Sequence, residues 1–537
     1  MENFGSKTKN NYVYGPEFNK HIGKDGFGCF IFDKFTENGD RIFQIDGLTG
    51  KSETYENVLK RSIRVALEMK TQGVTEDDVI VLCSGNTLDC CIPIFAAHLL
   101  NASVAALDPS QSVRDVVYLM NLIEPKMIFV QDSALDLITT AEKEFLFTPK
   151  IIVMGEHIGE DSFDNFTKPN PNENNFRPKP IEDRNKAALI MFSSGTTGMP
   201  KGISMSAESI LTSVLAAEEY CLSDTIGFHA TSFYWISAML VTISIILNKG
   251  HKVILSRYSI DSFFKAVEQY KINFALLSPT LVYEFNQENV TKYNLNSLKF
   301  IAAAGGRLTT GHMERCRQLL PRAAILSAYG LTEACGYVLV FPKTAYSEAK
   351  KYPASTGLPI PGFIVKVVDP ETEEVLGPNQ QGEIRIYSSY HFKEYFKKNS
   401  SDAFDNEDFV KTGDVGYYDK NNYFYICDRI KDMFKYKSWH IVPASVEGVI
   451  LQHPAVKEAV VVGIPDPIDG DLPMAVVTLK KGFENTDEDE LIHFVNERVL
   501  DREKLRGGLR IVEEFPKTPT GKIPRNIVRK AAIEGHF

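Results

Sequence analysis

Short runs of apolar and β-branched residues recur through roughly the first 300 residues of the chain, and segments with helical character separate them. Each run is apolar at successive positions, which is typical of strands buried on both faces in a parallel sheet. This alternation predicts an α/β fold with large, doubly wound sheets. The clearest runs are 79–82, 127–130, 151–154, 188–192, 253–255, 274–277 and 300–304, and the clearest helical segments are 55–72 and 259–270.

The pattern changes after about residue 355, where polar, turn-rich sequence separates the apolar runs. The runs 363–368 and 382–387 predict strands of a small antiparallel β-barrel. From Asp428 onward the sequence predicts a compact α+β unit, with helices at 443–452 and 487–500 and strands at 459–462 and 474–479.

Composition excludes several classes of protein. The chain has 537 residues and a net charge of −10, and no long block of Lys or Arg indicates a nucleic-acid partner. The apolar run 236–247 is shorter than the roughly 20 residues that cross a membrane, so it predicts a buried core element and no transmembrane segment.

Three features bear on the compartment. The first residues contain no apolar signal segment, and Gly535-His536-Phe537 is not a Ser-Lys-Leu-type peroxisomal signal. The eight cysteines form no CxxC pair, which favours buried, reduced thiols. Together these features predict an intracellular, cytoplasmic protein.

A loop rich in glycine and hydroxyl groups directly follows the run 188–192. Its glycines let the backbone close around a phosphate oxygen, which its N–H groups, hydroxyls and one lysine can bind. An ordinary Ser/Gly-rich turn is the alternative, but the density of these residues favours a phosphate-binding loop. It is not a Walker A loop, because Pro200 precedes the lysine. The loop runs Ser193, Ser194, Gly195, Thr196, Thr197, Gly198, Met199, Pro200, Lys201 and Gly202.

This loop resembles the signature of the adenylate-forming superfamily: acyl- and aryl-CoA ligases, adenylation domains of peptide synthetases and insect luciferases. Four more blocks resemble those of the family, follow in the family's order and extend the resemblance over nearly the whole chain. They are Tyr329-Gly330-Leu331-Thr332-Glu333, Thr412-Gly413-Asp414, Asp428-Arg429-Ile430-Lys431 and Pro519-Thr520-Gly521-Lys522. Segments 14–17, 451–454 and 504–508 are most similar to insect luciferases and luciferase-like acyl-CoA ligases.

The resemblance implies a domain organisation. A large N-terminal AMP-binding domain, residues 1–427, holds two α/β subdomains and the small β-barrel. Residues 428–431 form a hinge, and residues 432–537 form a mobile α+β lid domain. Rotation of the lid presents one face for the first half-reaction and another face for the second.

The resemblance also implies a reaction. A small-molecule carboxylic acid attacks the α-phosphate of ATP, pyrophosphate leaves and an acyl-adenylate forms. ATP and Mg²⁺ are the expected cofactors, and the second half-reaction uses CoA, or O₂ if the protein is a luciferase. No protein partner is required for such a reaction.

The same resemblance assigns the nucleotide site. Thr332 and Glu333 contact the region of the α-phosphate, and Glu333 helps to hold Mg²⁺ beside phosphate oxygens. Asp414 accepts hydrogen bonds from both ribose hydroxyls, which suits a carboxylate. Arg429 supports the ribose or the phosphate, and Tyr329 stacks beside adenine. The residues assigned to ATP or AMP are Ser193, Ser194, Gly195, Thr196, Thr197, Gly198, Lys201, Gly305, Gly306, Tyr329, Gly330, Thr332, Asp414, Arg429 and Lys522.

Two lysines of the C-terminal part complete the catalytic set that the resemblance implies. Lys522 resembles the lysine that reaches the carboxylate and the phosphate during adenylation. Lys435 resembles the lysine that serves the second half-reaction from the opposite face of the lid. A flexible ammonium group on a mobile domain suits charge that exists only in the closed state. The full catalytic set is Lys522, Lys435, Thr332, Glu333 and Arg429.

Two departures from the family pattern concern the substrates. Ser438 stands where the family usually has glycine, and its Cβ would crowd the pantetheine arm of CoA. Trp235 or Ile236 aligns with a functional histidine of beetle luciferases. Both are assigned to the substrate pocket, together with Gly305 and Gly330.

Three functions stay open on the sequence alone. An acid–CoA ligase is favoured over a luciferase, but the two share every ATP-binding residue, so the motifs do not separate them. A non-catalytic adenylate-binding protein is disfavoured, because the phosphate loop, Glu333, Asp414 and Lys522 are all present.

Overall fold

The computed structural model describes residues 6–157, 159, 161–193, 200–218, 225–306, 308, 310–343, 346, 348–437, 439–517 and 523–536. The chain divides into two compact units. The first contains Met1–Leu308, Met313–Val365 and Ile386–Val410, and the second contains Thr309–His312, Lys366–Arg385 and Lys411–Phe537. The domain limits at 427/428 and 431/432 stay a prediction.

A seven-stranded sheet of the first unit, here called the first sheet, is built mainly from the predicted apolar runs. Five of its strands are parallel, and two antiparallel strands complete one edge. This confirms a parallel α/β sheet with strands buried on both faces. Its order is Glu394–Tyr395, Lys201–Ser206, Ala187–Ser193, Ser103–Leu107, Val79–Cys83, Met127–Gln131 and Lys150–Met154.

A second seven-stranded sheet of the first unit, here called the second sheet, is parallel except for its last strand. The other strands of this unit form a hairpin near the N-terminus and a three-stranded antiparallel sheet. The second sheet has the order Ala324–Ser327, Phe300–Ala303, Phe274–Leu277, Ile226–His229, His251–Ile254, Ile42–Asp46 and Ser52–Thr54. The others are Lys7–Lys9 and Tyr12–Tyr14, then Tyr329–Leu331, Gly336–Val340 and Leu358–Pro359.

Helices pack on both sheets through apolar side chains. Leu119 packs in the core of the first sheet and Phe263 in the core of the second. Thr54 and Ser259 cap two of the helices by accepting backbone N–H groups at 3.1 and 3.0 Å. The helices are Phe27–Asn38, Tyr55–Thr71, Cys91–Leu99, Val113–Ile123, Leu135–Glu142, Phe163–Phe166, Ala207–Ala216, Ile236–Leu247, Ile260–Tyr270, Pro279–Tyr283, Gln287–Thr291 and Thr310–Leu319.

The predicted core element at 236–247 is the helix Ile236–Leu247, and most of its residues are buried. Among the residues that the structure describes, no helix is both long enough and apolar enough to cross a membrane.

The predicted small β-barrel is wrong. Strands occur where the runs 363–368 and 382–387 predict them, but within the described residues they belong to an open sheet. Closure depends on the tilt and stagger of the strands, which neither the length of the runs nor their turns specify. The strands concerned are Ile364–Val368, Gly382–Tyr387, Val410–Tyr418 and Phe424–Arg429.

The second unit also contains the predicted α+β arrangement near the C-terminus. The strands predicted at 459–462 and 474–479 are longer than expected, and they pair along their whole length. The sheet has the order Trp439–Ile441, Phe434–Tyr436, Gly470–Leu479 and Val456–Asp466, and Gly508–Ile511 lies parallel to Gly470–Leu479. The helices are Pro443–Ile450, Glu488–Asn496 and Arg525–Glu534.

Candidate active site

The carboxyl ends of the parallel strands in the second sheet bring several predicted site residues to one edge. In α/β sheets, ligands bind at this edge where the strand order reverses. The reversal here lies at Ile226–His229, which has later strands of the chain on both sides. Loops after three strands of this sheet carry Trp235, then Gly305 and Gly306, then the segment 329–333.

Residues 230–235, here called the bridge segment, join the carboxyl edges of both sheets. Asn86 Nδ2 donates to two carbonyl oxygens of the bridge segment at 3.1 and 3.3 Å. Ser232 Oγ donates to Asp108 Oδ2 at 2.7 Å. Asn86 and Asp108 both follow strands of the first sheet at their carboxyl ends. Two residues that follow strands of the first sheet therefore hold the bridge segment.

Trp235 ends the bridge segment and precedes the helix Ile236–Leu247. Its ring contacts Tyr234 edge to face, with centroids 5.1 Å apart. Trp235 and Ile236 are both half-buried. They lie at the carboxyl edge of the second sheet, and their role in binding the acid stays a prediction.

His229, near the predicted pocket residues, is buried. Its Nδ1 lies 2.9 Å from the carbonyl oxygen of Thr231. Burial, together with the positive charge of Lys252, lowers the pKa of His229 to about 3. The imidazole is therefore neutral near pH 7, which favours a structural role for this histidine.

The glycines of the site have different structural reasons. Gly305 has φ of 85°, in the left-handed region that favours glycine. Gly306 lies beside Pro279: a Cβ on Gly306 would be 3.5 Å from the proline ring. A Cβ on Gly330 would be 2.4 Å from the carbonyl oxygen of Gly336, so close packing of a hairpin requires this glycine.

Thr332 and Glu333 lie in a short 3-10 turn, Thr332–Ala334, directly after Tyr329–Leu331. The N–H of Phe392 donates to the carbonyl oxygen of Glu333 at 3.0 Å, which anchors the turn. The side chains of Thr332 and Glu333 are half-buried, whereas Tyr329 is buried.

Lys201 is the first residue of the strand whose register pairs it with Ser193. Its Nζ lies 4.4 Å from the ring centroid of Tyr395, which is a cation–π contact. Burial, together with the negative charge of Glu333, raises the pKa of Tyr395 to about 12. Tyr395 therefore contacts Lys201 and lies within electrostatic range of Glu333.

Several predicted site residues lie outside the described residues, and their roles stay predictions. For Ser193 only the backbone is described. The others are Ser194, Gly195, Thr196, Thr197, Gly198, Ser438 and Lys522.

Glu333 and Lys201 fit a magnesium ion whose ligands come partly from the protein and partly from phosphate oxygens. Within the described residues, no group of three or more His, Cys, Asp or Glu side chains could hold a metal on its own. Mg²⁺ usually keeps several waters and binds one or two carboxylates together with substrate phosphates. The half-buried carboxylate of Glu333 suits that arrangement, and Lys201 suits the phosphate oxygens.

In the second unit, Asp414 and Arg429 are register partners of an antiparallel strand pair. Arg429 Nε lies 3.0 Å from Asp414 Oδ1. Asp414 is buried and Arg429 is partly exposed. The structure therefore brings together these two residues, which the sequence assigned to the ribose.

Lys435 lies in the strand Phe434–Tyr436, and its Nζ donates to Glu371 Oε1 at 2.5 Å. Both side chains are more than half exposed, so this pair contributes little to stability. Lys435 can therefore leave Glu371 at little cost.

Sequence reasoning missed Tyr395, Asn86 and Asp108. Tyr395 contacts the predicted site residue Lys201, whereas Asn86 and Asp108 contact the bridge segment that ends at Trp235; each is far along the chain from its partner. The available signal was weak: Asn86 and Asp108 are polar residues within three positions of the ends of buried strands, where parallel sheets place functional groups.

Comparison with known proteins shows the family of the chain. The family model described as AMP-binding enzyme matches residues 31–396, and that described as AMP-binding enzyme C-terminal domain matches residues 445–522. Luciferin 4-monooxygenase of Nipponoluciola cruciata is 30% identical over 99% of this chain and 98% of its own length. 4-Coumarate–CoA ligase 1 of Petroselinum crispum is 27% identical over 94% of each chain.

A solved structure is similar as well. It is that of the luciferase-like enzyme from the nonluminescent Zophobas morio mealworm, 35% identical, with a TM-score of 0.75, and it covers 78% of this chain and 99% of its own. The family matches together span most of the sequence. The chain therefore belongs to the AMP-binding, adenylate-forming enzymes.

Proposed function

We propose that this enzyme uses ATP and Mg²⁺ to convert a small-molecule carboxylic acid into an acyl-adenylate and then transfers the acyl group to CoA. The observation that supports this proposal is that Lys201 contacts the ring of Tyr395 and Glu333 lies within electrostatic range of the same residue. A cation suited to phosphate oxygens and a carboxylate suited to magnesium therefore belong to the same region.

In the first half-reaction, a carboxylate oxygen of the acid bonds to the α-phosphorus of ATP, and the bond to pyrophosphate breaks. Lys201, Thr332 and the phosphate loop bind phosphate oxygens, where negative charge develops. Bound Mg²⁺ neutralises part of that charge. Lys522 contacts the reacting carboxylate and phosphate. Asp414 binds the ribose hydroxyls.

In the second half-reaction, the thiol sulfur of CoA attacks the acyl carbon, and AMP leaves as the thioester forms. Lys435 serves this step after the domain 432–537 rotates about the hinge 428–431 relative to the domain 1–427. Trp235 and Ile236 line the acyl pocket in both steps, and Gly305 and Gly330 lie beside them.

A luciferase is the second candidate. The similarity to luciferin 4-monooxygenases at 30–31% identity over 90–99% of the chain favours it. Ser438 also favours it, because a side chain in place of glycine would hinder CoA. In that case O₂ replaces CoA as the second reactant.

Two measurements test the proposal. We expect carboxylate-dependent exchange between ATP and pyrophosphate that requires Mg²⁺, over a panel of fatty, aryl and heteroaryl acids. Formation of an acyl-CoA without light supports the ligase, whereas light from a luciferin without need for CoA supports the luciferase. Absence of exchange with every acid would contradict the proposed function.

The role of Lys522 has a separate test. Lys522→Ala should lower the rate of adenylation by orders of magnitude, because its partner charges form only during that step. The variant should still turn a supplied acyl-adenylate into the thioester. An equal loss of both steps would show that the assigned role is wrong.

We also propose an intracellular location. The seven cysteines within the described residues are free thiols, and most of them are buried. This fits a reducing compartment.

A further inference from the structure

The turn Thr412-Gly413-Asp414 rests on a buried carboxylate of a neighbouring strand. The N–H of Gly413 donates to Glu383 Oε1 at 3.1 Å. The other oxygen, Glu383 Oε2, accepts from Arg385 Nε at 2.8 Å. The side chains of Glu383 and Arg385 are 7% and 4% exposed. One carboxylate therefore joins a buried guanidinium to the backbone of the turn.

A second contact fixes the same turn, and it comes from Ile384, the residue between Glu383 and Arg385. Thr412 Oγ1 donates to the carbonyl oxygen of Ile384 at 2.6 Å. The N–H of Asp414 then donates to Thr412 Oγ1 at 3.0 Å. All three residues of the turn are thus hydrogen-bonded within this network.

The charges are unusual for their place in the fold. Glu383 and Arg385 alternate along the strand Gly382–Tyr387 with Ile384 and Ile386, which are fully buried. An apolar pair of similar size would stabilise such a site at least as well, because burying an ion pair removes two charges from water. The carboxylate does what no apolar side chain can do, since it accepts the N–H of Gly413.

Arg385 is itself fixed from the far side. Its two terminal nitrogens donate to the carboxylate of Glu373 at 2.6 and 2.8 Å. The guanidinium plane is therefore set, and Nε points at Glu383. A bidentate pair of this kind restricts both position and orientation.

We propose that Glu383 is a positioning residue for nucleotide binding: it holds the N–H of Gly413 so that the carboxylate of Asp414 is directed at the ribose hydroxyls, and Arg385 fixes Glu383. This inference rests on the proposed role of Asp414 in binding ATP. Glu383 itself does not contact the nucleotide in this scheme.

The test compares ATP with 2′-deoxy-ATP in the pyrophosphate-exchange assay on the full-length enzyme. Glu383→Gln keeps the size of the side chain. Its amide, however, has one accepting oxygen instead of two, so it cannot accept from both Arg385 Nε and the N–H of Gly413. We expect kcat/KM for ATP to fall about tenfold, the effect of one lost charged hydrogen bond. The loss should appear as a higher KM for ATP. The ratio of kcat/KM for ATP to kcat/KM for 2′-deoxy-ATP should fall toward one.

The matched control is Glu447→Gln. Glu447 also pairs with an arginine, Arg525, and also accepts a backbone N–H, that of Val461 at 2.7 Å. Glu447→Gln should therefore lower stability to a similar extent but leave the preference for ATP over 2′-deoxy-ATP unchanged. A loss of preference in both variants would mean that general destabilisation is the cause, and this would overturn the inference.

Asp414→Ala separates the inference from the proposed function. If Asp414→Ala loses the preference and Glu383→Gln keeps it, Asp414 binds the ribose without help from Glu383, and the inference is wrong. If Asp414→Ala keeps the preference, the proposed role of Asp414 fails and the inference falls with it. Hydrogen exchange of the wild-type protein gives a check that needs no variant, because fast exchange at Gly413 would also overturn the inference.

Discussion

Tyr395 contacts Lys201 and lies within electrostatic range of Glu333, two residues of opposite charge that the sequence assigned to the site. Its ring face holds the ammonium group of Lys201, and such contacts contribute about 0.5 to 2 kcal/mol. An aromatic ring can fix a cation without competing for it as a carboxylate would. The ring can therefore orient Lys201 without pairing with it as a carboxylate would.

The contact between Lys201 and Tyr395 gives a residue-scale prediction. Tyr395→Leu should lower kcat/KM for ATP about tenfold in pyrophosphate exchange, because the ring no longer orients Lys201. Tyr395→Phe keeps the ring face and should stay within about threefold of the wild type.

A double-mutant cycle checks that the effect of Tyr395 passes through Lys201. In a Lys201→Met background, Tyr395→Leu should have no further effect on the residual exchange rate. A second tenfold loss in that background would show that the ring acts on something else. Phe32→Leu is the control, since the ring of Phe32 also faces a cation, Arg177, at 5.2 Å, and neither residue is a predicted site residue.

Trp235 gives a second prediction at this scale, for the choice of acid. Trp235→Ala should enlarge the acyl pocket, lower kcat/KM for a flat aromatic acid by about 10 to 100-fold and admit longer acids. Adenylation rates over a series of aryl and fatty acids measure this. The other tryptophan, Trp439, is 61% exposed, and Trp439→Ala should leave the order of preferred acids unchanged. An unchanged order in Trp235→Ala would place the pocket elsewhere.

At the scale of elements, the bridge segment couples the two sheets. Its hydrogen bonds to Asn86 and Asp108 hold a segment without regular structure against two strand ends. If Trp235 lines the acyl pocket as proposed, that wall keeps its shape only while both bonds are made. The geometry of Trp235 therefore depends on residues of the first sheet.

Ser232 tests this coupling. Ser232→Ala removes the bond to Asp108 and should cost about 1 to 2 kcal/mol of stability. It should also raise KM for the acid several-fold, with KM for ATP changed less than about twofold, because only the pocket wall loses its support. Ser112→Ala is the control: it removes a helix cap at a cost of about 1 kcal/mol and should leave KM for the acid unchanged. Equal effects on both KM values would contradict a local role.

The fold could be predicted from sequence where the signal is local. A strand such as Val79–Cys83 is apolar at every position because both of its faces are buried, and this leaves a pattern within five residues. The contact of Asn86 with Thr231 joins positions 145 residues apart, and nothing in either neighbourhood encodes the other. The open sheet in place of a barrel has the same cause, because closure is a relation between distant strands. The site blocks were accessible through resemblance, whereas their supporting residues were not.

At the scale of the whole molecule, buried histidines link stability to pH. His98 is buried, stacks on Phe27 at 4.5 Å, and its Nε2 has no hydrogen-bond partner within the described part of the chain. Burial lowers the pKa of His98 from 6.5 to about 3. Between these two pKa values the unfolded chain therefore binds more protons than the folded protein. The contribution of neutral His98 to stability is fully present above pH 6.5 and is lost as the pH drops toward 3.

When the pH falls from 7.5 to 5.5, we expect His98 to lower the free energy of unfolding by about 1.4 kcal/mol, and His229 to lower it by a similar amount. His98→Phe should keep the stacked ring and remove about half of this pH dependence. Urea unfolding of the first unit at the two pH values measures it. His493→Gln, at a position 77% exposed, should leave the pH dependence as it is. An unchanged dependence in His98→Phe would mean that His98 is protonated in the folded protein.

The edge strand Glu394–Tyr395 has a consequence for synthesis on the ribosome. Its partner, Lys201–Ser206, leaves the ribosome first and must wait for about 190 further residues, which at about 5 to 20 residues per second takes roughly 10 to 40 seconds. During that time the outer backbone groups of Lys201–Ser206 are an open sheet edge, the kind of surface on which nascent chains aggregate. The last segment to reach the first sheet is thus also the one that brings Tyr395 to Lys201. The lysine that we propose to bind phosphate is therefore held by Tyr395 only after the open edge has been covered.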